Sequence, residues 1–334
     1  MSAPEDLKRK QPLVIGTHSG TFHCDEALAL FMLKRLEEFQ SAEIIRTRDT
    51  AKLAECDVVV DVGGEYDFSK LRFDHHQRGF EETFDEKHSI KLSSAGLIYK
   101  HYGKRVVAKE LGLPLEDPKT ETLYQKIYDS FIEALDGNDN GVPQYPSDVE
   151  AAYTDHTHLP SRVSRLNPWW NQIDIDVDAR FAKAMELAGA DFLDRIHFLG
   201  KAWLPARDIV LRALESRNQV DPSGRILRLE SPCPWKEHLF DLEEDLGIPE
   251  DARPLYAIFP DDRAGQWRIQ GVPLQVDSFE LRKALPEPWR GYRDEELSEK
   301  SGVPGGVFVH HSGFIGGNAT ESGALDMAKK AVSF

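Results

Sequence analysis

Cysteine is scarce in this chain: its 334 residues include only three, Cys24, Cys56 and Cys233. An odd count without paired spacing excludes a disulfide framework and a structural zinc finger, and it points to a reducing, intracellular compartment. Long apolar runs are missing too. The longest, Ala27 to Leu33, ends at Lys34 and Arg35, well short of the roughly 20 residues that span a bilayer. No membrane partner is expected. Positive charge is in deficit, with 41 basic against 57 acidic residues and a net charge of −16. A global basic footprint for nucleic acid is therefore lacking, although local patches and bound cations can offset the field. Internal repeats and low-complexity tracts are absent. The N-terminus holds a short basic tract, Lys8-Arg9-Lys10, with neither the apolar core of a secretory signal nor a clear mitochondrial presequence.

What is present is the composition of a soluble globular protein, 40% hydrophobic and 29% charged, at a length that suits two domains. Pro12 to Thr17 reads as a strand, Asp25 to Phe39 as a helix, Glu43 to Arg48 as a strand, Asp49 to Glu55 as a short helix and Asp57 to Val62 as a strand. Lys70 to Phe73 adds another strand. This order predicts an α/β fold, a mainly parallel sheet flanked by helices. Helical spacing covers 93–111 and 120–135, Pro143 to Trp170 reads as loop, and Asp178 to Asn218 is helical with a break near Trp203-Leu204-Pro205. Beyond Asp221-Pro222-Ser223-Gly224 the pattern changes. Arg225 to Leu229, Leu255 to Phe259, Gln266 to Val272 and Val307 to His310 alternate like antiparallel strands, and a helix closes the chain from about Ser322 to Val332. The expected domains are 12–205, a helical linker at 206–222, and a smaller α+β domain at 223–334.

Four predicted strand ends or turns in the first half carry histidine and aspartate. They are Thr17-His18-Ser19-Gly20-Thr21-Phe22-His23-Cys24-Asp25, Asp61-Val62-Gly63-Gly64, Asp74-His75-His76, and Leu135-Asp136-Gly137-Asn138-Asp139-Asn140-Gly141. In open α/β sheets ligands bind outside the carboxyl ends of the strands. Imidazole and carboxylate together suit Mn²⁺, Zn²⁺ or Fe²⁺, and carboxylate pulls toward Mn²⁺ and Mg²⁺. The set exceeds what one ion needs. Two ions about 3.5–4 Å apart, sharing a carboxylate, suit in-line displacement at phosphorus. Each residue has a plainer reading. Asp25 is placed to cap a helix, the Asp-Gly and Asn-Gly steps suit turns, and a lone buried histidine is ordinarily core. Four such segments on one rim are harder to explain that way together. Arg46, Arg48, Arg78, Arg162 and Arg165 are candidate phosphate contacts, with solvated surface as the default. The pairs Trp235-Lys236, Trp267-Arg268 and Trp289-Arg290 could stack bases, but core packing is expected for at least two.

The Asp74-His75-His76 triplet, with Asp61 and the His18 to Asp25 segment, resembles the DHH phosphoesterase superfamily. More narrowly, GTHSGTFHCDEALA, VVVDVGGEYD, RFDHHQRGF, KLSSAGLIY, SRLNPWW, WLPAR, CPWKEHL, AGQWRIQ, LPEPWRG and SGFIGG resemble the Myg family, named for melanocyte-proliferating gene, from about residue 12 to 332. The resemblance implies a metal-dependent 3′–5′ exonuclease acting on single-stranded RNA, with a DHH-type catalytic domain first and a substrate-binding domain second. It implies two divalent ions, Mn²⁺ by preference and Mg²⁺ otherwise. One would take His18, His23 and Asp61; the other would take Asp25, Asp61, His75 and Asp136, with Asp61 bridging. His76 would face the scissile phosphate and Asp74 would orient a histidine. Asp136 is preferred to Asp139, which is read as a turn or supporting group. His23-Cys24-Asp25 departs from the superfamily's Asp-x-Asp, which lowers the ligand charge by one.

The segment from Val309 to Asn318 resembles the glycine-rich substrate motif of DHH-associated domains. It implies substrate contacts by His310, His311, Gly313, Gly316, Gly317 and Asn318, with Arg78 added from the first domain; a tight turn before the last helix is the plainer reading. The resemblance allows nucleus and mitochondrion. The sequence leaves oligomeric state open, a homodimer included. Two other functions stay in view: a phosphohydrolase for small phosphates or dinucleotides, and a metal-bound RNA-binding protein without catalysis.

Overall fold

The short apolar runs before residue 75 become strands in a computed structural model, which describes residues 12–146, 148–261 and 265–334. The basic tract Lys8-Arg9-Lys10 lies outside the described residues. The chain divides into two units, one ending at Gly200 and the other beginning at Lys201. The first opens with β1 (Val14–Thr17), α1 (Cys24–Lys34), β2 (Glu43–Arg46), α2 (Thr50–Glu55), β3 (Val58–Val60), β4 (Tyr66–Asp67) and β5 (Arg72–Phe73). β1 pairs in parallel with β2 and β3, and β5 in parallel with β3. β4, too short to show as a period in sequence, pairs antiparallel with β5 at the edge. The order is β2-β1-β3-β5-β4. All three valines of β3 are buried, as an apolar run in a sheet covered on both faces should be.

Helices follow: α3 (Ser94–Ile98), α4 (Lys104–Leu111), α5 (Pro118–Ile127), α6 (Glu133–Asp139), α7 (Leu159–Ser164) and α8 (Val177–Phe198). Ala27, Leu28, Leu30, Met32 and Leu33 of α1 have no exposed surface, because α1 packs against both α3 and α8. α1 ends earlier than the Phe39 expected. The chain tightens there into turns in which Leu36 donates to Leu33 and Phe39 to Leu36, keeping both side chains buried. π turns at Tyr99–Gly103 and Tyr128–Ile132 join α3 to α4 and α5 to α6. A third, Leu199–Trp203, falls at the expected helix break. α7 lies inside the stretch expected to be loop.

The second unit contains α9 (Leu204–Glu215), α10 (Arg217–Val220), β6 (Ile226–Arg228), α11 (Lys236–Asp245), β7 (Tyr256–Pro260), β8 (Trp267–Gly271), α12 (Asp294–Ser301), β9 (Gly306–Val309), β10 (Ile315–Asn318) and α13 (Glu321–Ser333). The segment read as a linker is α9 and α10. Val210, Ala213 and Leu214 of α9 are buried with Leu227, Trp235 and Leu239. The sheet order is β6-β7-β8-β10-β9. One expectation fails here: β6 pairs with β7 in parallel, not antiparallel. The chain crosses through α11 between them, and a crossover of that length returns the next strand in the same direction. Trp235 and Trp289 are buried core residues, and the Arg228 guanidinium lies 5.3 Å from the centre of the Trp267 ring. Among the described residues no helix is long and apolar enough to cross a membrane.

Gly316, Gly317 and Asn318 lie in β10, flanked on both sides by β8 and β9. Asn318 is fully buried, donating to Pro304 O (2.9 Å) and accepting from Thr320 N–H (3.0 Å). Its carboxamide therefore ties the β10 end to the start of α13. Asn318→Ala leaves both partners unpaired and is expected to cost about 1–3 kcal/mol, measured by urea unfolding. An unchanged midpoint would mean that water replaces both bonds.

Candidate metal centre

β1, β3 and β5 run in parallel side by side, so the residues after each reach one rim of the sheet. β1 lies between β2 and β3, and the crevice at such a reversal of strand order is where open α/β sheets bind ligands. His18 follows β1, Asp61 follows β3, and Asp74-His75-His76 follow β5. His23 precedes α1 as its N-cap, and Asp25 and Glu26 occupy the first turn, where carboxylates meet the free N–H groups of the helix. Glu26 accepts the His23 N–H at 2.9 Å and 3.0 Å.

The side chains converge. His18 Nε2 lies 3.0 Å from Glu26 Oε1 and 3.3 Å from Asp61 Oδ2. His75 Nε2 lies 3.2 Å from both Asp61 Oδ1 and Asp139 Oδ2. The two oxygens of Asp61 thus face different histidines. Asp61 adopts φ 61°, in the left-handed region, which Asp tolerates better than most residues and which costs of order 1–3 kcal/mol. Three sets of donor atoms each lie within 4.8 Å of one another: His18, His23, Glu26 and Asp61; Asp61, His75 and His76; and His23, Asp25 and Asp139.

Among the described residues, Asp25 Oδ1, Asp61 Oδ1 and both ring nitrogens of His75 are buried without a hydrogen-bond partner. Their close contacts to one another are ionic rather than aligned hydrogen bonds. Burying such atoms unpaired is costly, and a divalent cation would satisfy them. The residues present therefore fit a metal.

The two candidate aspartates on α6 separate cleanly. Asp136 is fully buried and belongs to none of these donor sets. It accepts from Ser93 N–H (2.9 Å), Ser93 Oγ (2.7 Å), Gly96 N–H (3.1 Å) and Tyr128 Oη (3.0 Å). Burial raises its pKa to about 7 against those hydrogen bonds. Any Cβ at Gly96 would stand 2.4 Å from its oxygens, so only glycine lets α3 approach. Asp139, which the sequence suggests as a turn or supporting group, faces His75. Glu26 escaped the sequence reading altogether. Its spacing from His23 is that of a capping box, which was the available signal.

A second set of contacts holds the donors in place. Ser94 Oγ donates to Asp25 Oδ2 at 2.7 Å. Asp74 Oδ1 accepts from the N–H groups of His75 (2.8 Å) and His76 (3.2 Å) and lies 2.7 Å from His76 Nδ1; Oδ2 accepts from Gly64 N–H at 2.5 Å. Asp74 is buried, whereas the His76 ring is 63% exposed. His76, with Asp25, Asp61, His75 and Asp139, opens on a cavity of about 730 Å³ whose other walls include Lys91, Asn138, His158 and Ser161.

Arg46 and Arg48 are tied to the β1–α1 loop through Gly20 O (2.8 Å) and Ser19 O (3.1 Å). Arg162 pairs with Asp191 and Arg165 with His156 O. Arg78 is exposed in the loop after β5. In the second unit, His310, His311 and Gly313 form the β9–β10 turn. Gly313 takes φ 76°, and the rings of His310 and His311 are 4.1 Å apart.

Residues 14–332 match the family described as Uncharacterised protein family (UPF0160), whose label is MYG1_exonuc. The chain belongs to this family. It is 53% identical to the MYG1 protein of Dictyostelium discoideum over 323 residues, 96% of this chain and 97% of that one. It is 52% identical to the MYG1 exonuclease of Homo sapiens over 332 residues, 98% of this chain and 87% of that one. It is 52% identical to the MYG1 exonuclease of Bos taurus over 328 residues, 96% of this chain and 85% of that one. No solved structure matches this UPF0160 member.

Burial works against charged His18 and His75, but the carboxylates beside them prevail and raise each pKa from 6.5 to about 10. Burial raises Glu26 from 4.5 to about 8, against the pull of His18. Asp25 is raised by burial and by Asp139. Without metal, the fold therefore holds these protons more tightly than the unfolded chain does, and its stability falls as they leave. The contribution of the histidines is complete below pH 6.5 and lost as pH passes through about 10; Glu26 acts with the same sign from 4.5 to about 8. The metal-free protein is expected to melt at progressively lower temperature from pH 6.5 to 9.5. Saturating Mn²⁺ should remove that slope, because metal binding takes the deprotonated ligands. Calorimetric melting with and without Mn²⁺ checks it; a metal-free midpoint rising over that range would contradict the assignment.

Proposed function

We propose that this protein is a divalent-metal-dependent phosphodiesterase of the DHH phosphoesterase type, a 3′–5′ exonuclease acting on single-stranded RNA by two-metal hydrolysis. The observation that carries the reading is the division of the Asp61 carboxylate between His18 and His75. A carboxylate whose two oxygens face two separate donor sets is suited to bridge two ions. The name MYG1 exonuclease, borne by several relatives, supports nuclease chemistry. His18, His23 and Asp61, with Glu26 beside them, would hold one ion. Asp25, Asp61, His75 and Asp139 would hold the other, with Asp139 in the place first given to Asp136. The mixture of imidazole and carboxylate favours Mn²⁺, with Mg²⁺ the alternative. When bound, such ions acidify water and neutralise charge on a phosphodiester.

The chain's own residues supply position and protons. Asp74 holds the His76 ring from its Nδ1 side and raises its pKa. The imidazole therefore presents Nε2 to the cavity as a hydrogen-bond donor to a phosphoryl oxygen. Hydrolysis forms a bond from water oxygen to phosphorus and breaks the bond from phosphorus to O3′ of the preceding nucleotide, which takes up a proton. His310, His311 and Gly313 at the β9–β10 turn, and Arg78, are assigned to substrate contact. Gly316, Gly317 and Asn318 shape the strand behind that turn.

Asp61→Ala is expected to abolish Mn²⁺-dependent shortening of 5′-labelled single-stranded RNA while circular dichroism stays unchanged. Asp74→Asn should lower turnover about 10–100-fold, the usual cost of losing a group that orients a catalytic or ligating histidine. Near-wild-type turnover by the Asp61 variant would remove the two-metal reading. Hydrolysis of pyrophosphate with RNA left intact would move the substrate class to small phosphates.

A further inference from the structure

The SRLNPWW segment is not used by the metal centre, yet it is built against it. α7 ends at Ser164, and Ser161 and Ser164 line the same cavity as His75 and His76. His158, just before α7, lines it too, with its Nε2 3.0 Å from Ser161 Oγ. Three residues after α7, Asn167 clasps the backbone of Phe22, accepting from its N–H at 3.0 Å and donating to its C=O at 2.8 Å. Phe22 is the neighbour of His23. Arg180 donates to the carbonyls of Leu166 and Asn167 from α8, and Val163 is fully buried beneath the helix.

The chain so anchored then presents two adjacent indoles to solvent. Trp169 is 66% exposed and Trp170 96% exposed. The Trp169 N–H donates to Gln172 Oε1 at 3.0 Å, so the pair sits on a closed turn. Adjacent exposed tryptophans on a secured backbone mark an interaction surface rather than a spared core.

We infer that Trp169 and Trp170 form a base-stacking platform for the single-stranded nucleic acid whose end enters the cavity. The inference rests on the nuclease reading above and adds where the rest of the strand lies. The cavity has the size of a small-ligand site, so a polymer must leave it, and α7, which lines it through Ser161 and Ser164, is followed in the chain by the indoles. Aromatic platforms suit this task in an acidic protein, because stacking on a base face needs no positive charge. Ser161 and His158, on the cavity wall, offer hydrogen bonds to a phosphate of the entering strand.

The experiment compares the full-length protein with the Trp169→Ala/Trp170→Ala and Trp169→Phe/Trp170→Phe double variants. Binding of a fluorescently labelled single-stranded RNA decamer is read by anisotropy in EDTA. Hydrolysis of the decamer and of a dinucleotide is read with Mn²⁺. The alanine variant is expected to bind the decamer about tenfold or more weakly, the scale of one lost stacked base. The preference in kcat/KM for decamer over dinucleotide should fall by a similar factor through KM, and phenylalanine should restore most of it. Equal decamer binding by the wild-type and alanine proteins would overturn the inference. A wild-type dimer that becomes monomeric in the alanine variant, with decamer binding unchanged, would also overturn it and make the surface a contact between copies. If the wild type binds the decamer through the indoles but cleaves nothing, the stacking inference stands and the nuclease reading falls.

Discussion

Asp61 stands at the end of β3 with a backbone conformation that few side chains accept and a carboxylate buried between His18 and His75. Its N–H still bonds to Phe73 O at 3.0 Å, so the sheet holds the residue while the chain turns out of strand geometry. Gly63 and Gly64, at φ 102° and 69°, complete the turn. That places the carboxylate between donors from β1 and β5, where straight strand geometry would alternate its side chain with the neighbouring valines. The local strain is sustained because the residues just before it, Val59 and Val60, pair in parallel with β5 and are buried.

The donors themselves are held from behind by neutral and hydrogen-bonded groups. Ser93 and Ser94 open α3 and divide two tasks: the first binds Asp136, the second binds Asp25. Tyr128, in a π turn, adds its hydroxyl to Asp136. Asp136 is thus tied to α3 and Tyr128 and does not line the cavity. This arrangement concentrates several acids in one buried place, at the cost of raised pKa values and orphaned donor atoms. Both would be reduced if a cation replaced the protons.

An acidic protein proposed to act on an acidic polymer has to gain affinity by other means than a basic surface. The arginines near the rim are largely committed to protein carbonyls and carboxylates, as with Arg46, Arg48 and Arg162. Bound cations, the directional His76–Asp74 pair and exposed aromatic faces remain. Each acts at short range, so recognition of this kind depends less on ionic strength than a phosphate-tracking groove does.

Much of the first unit was legible in sequence. The apolar Val58-Val59-Val60 run announced a central strand, alternating elements announced parallel pairing, and strand-end His and Asp residues announced a common rim, because backbone periodicity and strand polarity are local properties. The family followed from motifs spread along the chain. The direction of β6 against β7 was not legible, since strand alternation is the same in either direction and only the α11 crossover decides it. Nor could sequence choose between Asp136 and Asp139. Both lie on α6 three residues apart, and the choice depends on which of them meets Ser93, Gly96 and Tyr128 from other elements. Gly316, Gly317 and Asn318 look like a substrate motif or a tight turn when read alone, but two flanking strands take them into a sheet. The sequence by itself determined most of the longer strands and helices and the chemistry they carry, while β4, α7 and β10 emerged only in the fold. Tertiary packing decided which carboxylate faces the cavity and which is spent inside the protein, because that depends on burial and partners brought from distant parts of the chain.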